Sequence, residues 1–303
     1  MLLACANEAF RSQYRAASKG SRYAYSNSNY EVLGAVIEKV TGRQYADVLY
    51  ERLLKPLGLT ETGLDTDELI LPNRAAGYRR TSAGLVYAKP GSMTVAWAAG
   101  GMYSTVHDLN KWQRALYEGK VLSNANRTLM TTAGQESYGL GIEVSQVAGT
   151  TVLRHGGSID GFNSFMSYIP ARHVSVIVLS NMEGTVAAGM GAQMDDAVLG
   201  LPVALVNEHK AVPIRPEELA WFVGTYRFSP SFSLVFAVSG DHLIATSPGD
   251  SPLPLVYEGV RSGHAFFFVK QVIAELEFVP GQGSSKGSVV LHQAGHDEIG
   301  HPE

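Results

Sequence analysis

Residues 151–180 read TVLRHGGSIDGFNSFMSYIPARHVSVIVLS, and this stretch decides the fold. Three β-branched, apolar segments (151–155, 162–169 and 174–180) are separated by Gly156-Gly157, Asp160-Gly161 and Pro170-Ala171-Arg172. Short runs of this kind, bounded by turn residues, read as strand-turn-strand-turn-strand, most simply an antiparallel meander. Residues 185–199 then read as a helix returning over that sheet.

Upstream of the meander the pattern is helical. Residues 7–17 are helix-like, with a turn at Lys19-Gly20-Ser21. Ser28 and Glu31 have the spacing of a capping box. The helix that follows carries Val32, Leu33, Val36, Ile37 and Val40 on one face and stops at Gly42. A second helix is expected over 44–54, ending before Pro56. Residues 57–98 are punctuated by Gly and Pro and hold at most short strands. Ser104-Thr105-x-x-Asp108 is another cap signature, leading a helix through Trp112 and Leu116.

Downstream, residues 203–216 are linker-like, with Pro213 and Pro216 after Pro202. From Trp221 onward, short alternating segments (224–228, 234–238, 242–246, 253–257, 265–269, 275–279 and 289–293) are joined by Gly, Pro, Ser and Asp. Seven or eight strands at this spacing predict a small all-β barrel or sandwich. The expected organisation is therefore an α/β domain over 1–212, with helices flanking an antiparallel sheet, followed by a small β-barrel over 213–303.

Bulk properties exclude several classes. The chain has 303 residues, 45% hydrophobic and 17% charged, a globular balance. A net charge of -4 and a pI of 6.1 argue against nucleic-acid binding. No apolar run reaches the roughly 18 residues that would read as a membrane-spanning helix. With one cysteine, Cys5, no internal disulfide can form. Leu2-Leu3-Ala4-Cys5 resembles the end of a lipoprotein signal, but four residues are too few for the basic and apolar stretches that precede such a site. The histidine spacing, including His292 and His296, suggests no metal site, and no phosphate-binding glycine loop is evident. No cofactor is expected.

Two segments carry the chemistry. Tyr25-Ser26-Asn27 precedes a helix, where Tyr25 projects freely and Asn27 has the groups to hydrogen-bond a substrate amide. His155 is followed by Gly156-Gly157-Ser158, where glycines let a ligand backbone approach a strand edge and the Ser158 amide points toward an oxyanion. His155 suits donation or proton relay near neutral pH. Taken alone, the first segment reads as a polar turn and the second as a turn holding a half-buried histidine.

Together and in order, the segments say more. Tyr25-Ser26-Asn27, Leu33-Gly34-Ala35-Val36-Ile37, Lys55-Pro56-Leu57-Gly58-Leu59, Gly100-Gly101-Met102-Tyr103-Ser104-Thr105, Tyr138-Gly139-Leu140-Gly141, His155-Gly156-Gly157-Ser158 and Leu179-Ser180-Asn181 resemble the serine β-lactamase-related family. That family includes class C β-lactamases, D-alanyl-D-alanine carboxypeptidases and related esterases. The resemblance covers about residues 10–200. Val223-Gly224-Thr225-Tyr226, Phe266-Phe267-Phe268 and His292-Gln293-x-Gly295 more loosely resemble the lipocalin-like barrel appended to some members.

The resemblance implies an acyl-enzyme mechanism on an ester or amide. Tyr25 would be the base or proton shuttle, Asn27 a substrate contact, and His155 would stand where many members have lysine. Gly156, Gly157 and Ser158 would border the substrate and oxyanion site. The family's nucleophile motif, Ser-x-x-Lys, is not present: none of the nine lysines has serine three places before it. The acylated serine, its lysine and the first strands of the sheet are expected upstream of Met1, and residues 1–303 alone are expected to be inactive. The alternative is an inactive module that binds a peptide or acyl ligand. A small-molecule or peptide substrate is implied, as is an exported, periplasmic parent, although no signal peptide is recognised here. The sheet edge left open is expected to invite self-association.

Overall fold

The computed structural model describes residues 23–81, 84–184, 186–203, 205, 208–229, 232–248, 252–281, 286–293 and 296–303. Cys5, the helix expected over 7–17, the turn at 19–21 and Gly295 lie outside these residues.

Helix α1 (Asn27–Thr41) starts two residues after Tyr25. Its N-cap is Ser26, whose side chain makes no capping bond, so the Ser28–Glu31 box is not formed. The apolar face is also not what periodicity predicts in its surroundings. Val32, Leu33, Val36 and Val40 are 49–80% exposed, and Gly34, facing Ala98 and Trp97, is the buried residue of the helix. Helix α2 (Tyr45–Leu49) continues through a π-helical turn (Tyr50–Leu54) and a last turn (Lys55–Leu57). Pro56 therefore does not end it. The wider turn absorbs the amide that proline lacks, and the chain stops at Gly58, whose φ of 65° is the left-handed conformation favoured by glycine.

Strand β1 (Gly63–Leu64), the hairpin β2 (Tyr78–Thr81) and β3 (Gly84–Tyr87), helix α3 (Met93–Gly100) and strand β4 (Met102–Tyr103) follow. Helix α4 (Val106–Tyr117) begins as its cap signature predicts, with the Thr105 hydroxyl accepting from the Asp108 amide. Asp108 is fully buried there and accepts from the Glu61 amide (2.8 Å), the Thr62 hydroxyl (2.9 Å) and Lys111 Nζ (2.9 Å). Burial pushes its carboxyl upward, but these bonds outweigh it and the net shift is downward. Helix α5 (Asn124–Met130) leads toward the sheet.

The meander is present as a four-stranded antiparallel sheet in the order β5 (Glu143–Val147), β6 (Thr150–Ile159), β7 (Phe162–Ile169), β8 (Val174–Ser180). Alternation along β7 sorts its side chains between two layers. Phe165 and Ser167 face helix α6 (Val186–Leu199), and Tyr168 stacks on Tyr117 of α4 at 4.7 Å on the other side. Helix α6 lies close because residue 191 is glycine: a Cβ there would sit 2.0 Å from the Phe165 ring. Among the described residues β8 pairs along its length only with β7.

After helix α7 (Pro216–Leu219), nine strands form one nearly closed antiparallel sheet. They are β9 (Gly224–Ser229), β10 (Phe232–Ser239), β11 (His242–Thr246), β12 (Leu253–Pro254), β13 (Val256–Arg261), β14 (His264–Val269), β15 (Ala274–Val279), β16 (Ser288–Gln293) and β17 (His296–Pro302). The order is β12-β11-β10-β9-β17-β16-β15-β14-β13, so its two ends are joined through Leu255. The single segment expected over 253–257 is split there, and β17 was not expected. Phe222, Tyr226, Phe236, Phe267 and Phe278 meet edge to face inside, giving a packed core. The turn between β14 and β15 sets Ile273 against Gly189 of α6. No described helix is long and apolar enough to cross a membrane.

Candidate active site

His155 lies in the middle of β6, not at its end. The glycines expected to form a turn are inside the strand, which continues to Ile159 and turns at Asp160-Gly161. Pairing explains why glycine sits there. Residues Thr150 to Arg154 pair with β5, whereas Leu153 to Ile159 pair with β7. From His155 onward the edge on the β5 side is therefore open among the described residues, and Gly156, Gly157 and Ser158 are exposed along it. Such an edge offers backbone donors and acceptors to an extended ligand, with no side chain standing off its backbone.

The imidazole is held at both nitrogens. Nδ1 lies 2.6 Å from the carbonyl oxygen of Gly156, which can only accept, so the proton is assigned to Nδ1. Nε2 then accepts from the Tyr138 hydroxyl at 2.8 Å. Sequence reasoning quoted Tyr138 as part of a motif and gave it no role; its position follows from a local bridge to Glu143 that brings it beside β6.

Tyr25 comes to the same place from the start of α1. Its ring centroid is 6.3 Å from that of His155 and 6.2 Å, edge-on, from that of Tyr138. Tyr23 also packs on Tyr138, at 5.4 Å. Two segments 130 residues apart in sequence thus place their rings side by side. Asn27 is exposed in the first turn of α1, and its side chain has no hydrogen-bond partner among the described residues.

Three tyrosines of the cluster, Tyr138, Tyr23 and Tyr30, resist ionisation. Burial, followed by repulsion from Tyr30, Tyr25, Tyr23 and Glu143, holds the Tyr138 hydroxyl well above its ordinary range. Burial and the neighbouring Tyr25 act on Tyr23 and Tyr30 in the same direction. Tyr138 is therefore a phenol that donates to His155 and not a base. Among the described residues the Tyr25 hydroxyl has no hydrogen-bond partner.

A second layer fixes β6 from below. Asn163 of β7 is buried; its Nδ2 donates to the Gly157 carbonyl at 3.1 Å and its Oδ1 accepts from the Ala187 amide at 2.8 Å. One side chain thus ties the open edge to the start of α6. Nothing in the sequence marks Asn163 apart from other strand residues. No three described His, Cys, Asp or Glu side chains are arranged to hold a metal ion.

The Beta-lactamase family model matches residues 6–199. The chain belongs to the beta-lactamase family. Among its relatives, the D-aminopeptidase of Gluconobacter oxydans (strain 621H) is 25% identical over 191 residues, covering 60% of this chain and 36% of that protein. The D-stereospecific amidohydrolase of a Streptomyces species superposes with a TM-score of 0.51 at 31% identity, covering 55% of this chain and 52% of the other. The octameric penicillin-binding protein homologue of Pyrococcus abyssi superposes with a TM-score of 0.58 at 24% identity, over 94% of this chain and 66% of the other, and so shares the fold through the barrel. The chain spans about two fifths of the length of the sequence relatives it matches. For a member of this family, the pairing of a tyrosine ahead of a helix with a histidine on the third-from-last strand of the sheet is the arrangement to be explained.

Proposed function

We propose that residues 1–303 supply the tyrosine–histidine side of a serine hydrolase site acting on amide or ester bonds of D-amino-acid substrates through an acyl-enzyme. The observation that carries it is the 6.3 Å approach of the Tyr25 and His155 rings beside the open edge of β6. In this reading Tyr25 shuttles the proton, and the Tyr138–His155 pair orients the imidazole toward the reacting group. Asn27 contacts the substrate amide, and the edge at Gly156, Gly157 and Ser158 receives its backbone. The names of the D-aminopeptidase and the D-stereospecific amidohydrolase support the substrate class.

Residues 1–303 contain no Ser-x-x-Lys, and no described cation is hydrogen-bonded to Tyr25. Acting alone, they bind such ligands without turning them over. The test is incubation with a chromogenic D-alanine ester and a fluorescent penicillin, followed by intact mass. No burst and no adduct are expected; a stoichiometric adduct would reveal a nucleophile elsewhere in the chain. The edge of β8, free among the described residues, and the exposed apolar face of α1 together favour self-association, read as a concentration-dependent mass in sedimentation. A monomer at all concentrations would refute that part.

A further inference from the structure

Helix α3 is broken at Trp97. Its backbone stands at φ 24° and ψ −118°, outside the helical region and in a conformation that a bulky side chain seldom adopts. Backbone bonds on either side of Gly101 hold it there. The Gly101 amide donates to the Trp97 carbonyl at 2.8 Å, and the Asp65 amide donates to the Gly101 carbonyl at 2.7 Å, which ties the kink to the end of β1. Residue 101 is glycine at a close approach: a Cβ there would sit 2.9, 3.0 and 3.1 Å from Trp97 backbone atoms. Backbone strain of this kind persists only where the surroundings over-determine it, and it clusters at active sites, clamps and switches.

The kink aims the indole at α1. A Cβ on Gly34 would lie 3.0 and 3.1 Å from indole Cζ3 and Cη2 and 2.5 Å from the Ala98 methyl, so α1 reaches α3 here only because residue 34 is glycine. Gly34 is also the one buried residue of α1, whereas Val32, Leu33, Val36 and Val40 are exposed. Tyr45 of α2 completes the seat. Its ring meets the indole edge-on at 5.5 Å, and its amide donates to Glu38 of α1 at 2.8 Å. The helix is therefore located chiefly from one side, by Trp97, Ala98 and Tyr45. The same helix begins at Asn27, two residues after Tyr25.

We propose that Trp97 is a positioning residue for the Tyr25 side of the cleft. Its kink sets how far α1 stands from α3, and α1, a rod of 15 residues, carries Tyr25 and Asn27 to His155. A misplacement of about 1 Å at a reacting group costs about a hundredfold in rate, so the seating of this helix bears on the chemistry. The placement of Tyr25 stands apart from the acyl-transfer reading; only its consequence for a ligand rests on that reading.

The test is the Overhauser contact between the ring protons of Tyr25 and His155 in selectively labelled protein. The Tyr138–His155 contact is the internal reference, because β6 and the bridge to Glu143 place both of its rings without α1. Gly34→Ala drives a methyl against Ala98. Carbon atoms settle about 3.5–4.0 Å apart, so α1 must withdraw by about 1 Å, and a contact that falls with the sixth power of distance should weaken about twofold. The reference contact should not change. Trp97→Gly accepts the kink without strain and deletes the ring, and Trp97→Phe, the milder change, lacks the Cζ3 and Cη2 atoms that reach Gly34. Both should weaken the Tyr25 contact selectively, and Trp97→Phe decides the question if the other variants do not fold. Thermal unfolding on the same samples separates aim from packing. A lower midpoint with the Tyr25–His155 contact unchanged, or equal loss of both ring contacts in a folded variant, would overturn the proposal. Failure of the acyl-transfer reading would look different: a D-alanine ester would leave His155 unshifted in the parent, while the ring contact still responds to Gly34→Ala.

Discussion

Asp195 on α6 is 1% exposed and sits beneath the sheet. Its Oδ1 accepts from the Ser167 hydroxyl, and its Oδ2 has no partner among the described residues. Burial pushes the carboxyl up to about 6, against the downward pull of Ser167 and Arg154. In the unfolded chain the same group titrates near 3.9. The folded state therefore holds this proton more tightly, and stability falls as pH rises from about 4 through 6. A difference of about 2 units corresponds to about 3 kcal/mol. Asp195→Asn keeps an acceptor for Ser167 and removes the titration. Urea unfolding of both proteins between pH 3.5 and 7.5 isolates the effect, since pH-independent packing differences cancel in the change of the gap. The variant should gain on the parent by about 3 kcal/mol across that range, most of it between pH 4 and 6. Parallel stability profiles would mean that Asp195 is not held protonated by burial, and the reasoning would be wrong.

Three further outcomes follow from named contacts. Tyr138→Phe removes the donor to His155 Nε2, a bond worth about 1 kcal/mol, so the Nε2-protonated tautomer should rise about fivefold in imidazole nitrogen NMR; an unchanged ratio contradicts the assignment. Gly191→Ala should destabilise by about 1–3 kcal/mol or more in thermal unfolding, with partial relief from Phe165→Leu; a neutral effect would mean that α6 can withdraw freely. Asp108→Ala strands the Glu61 amide, Thr62 and Lys111 and should cost about 3 kcal/mol, whereas a loss below 1 kcal/mol would show that water replaces the carboxylate.

Local signals were legible and surroundings were not. The meander, the cap at Thr105 and the length of α4 follow from periodicity and spacing, because each depends on neighbours in sequence. The same periodicity identifies the apolar face of α1 but does not say what covers it, and in this structure the face is bare. Gly156-Gly157 was taken for a turn because glycine punctuates both turns and open edges. Which one it marks depends on β5 pairing no further than Arg154, a tertiary fact. Pro56 failed as a stop because the π turn ahead of it spares the missing amide. Tyr25 and His155 were singled out together on family resemblance, whereas Tyr138 and Asn163 act through contacts that no local pattern encodes.

The central claim is that the Tyr25 and His155 segments form one acyl-ligand cleft that residues 1–303 do not furnish with a nucleophile. The direct measurement is the imidazole nitrogen NMR spectrum of His155 during titration with a D-alanine ester, with intact mass recorded on the same sample. A saturable His155 shift that Tyr25→Ala weakens, with the protein mass unchanged, is the expected result. A silent His155, or a mass increase equal to one acyl group, would contradict it.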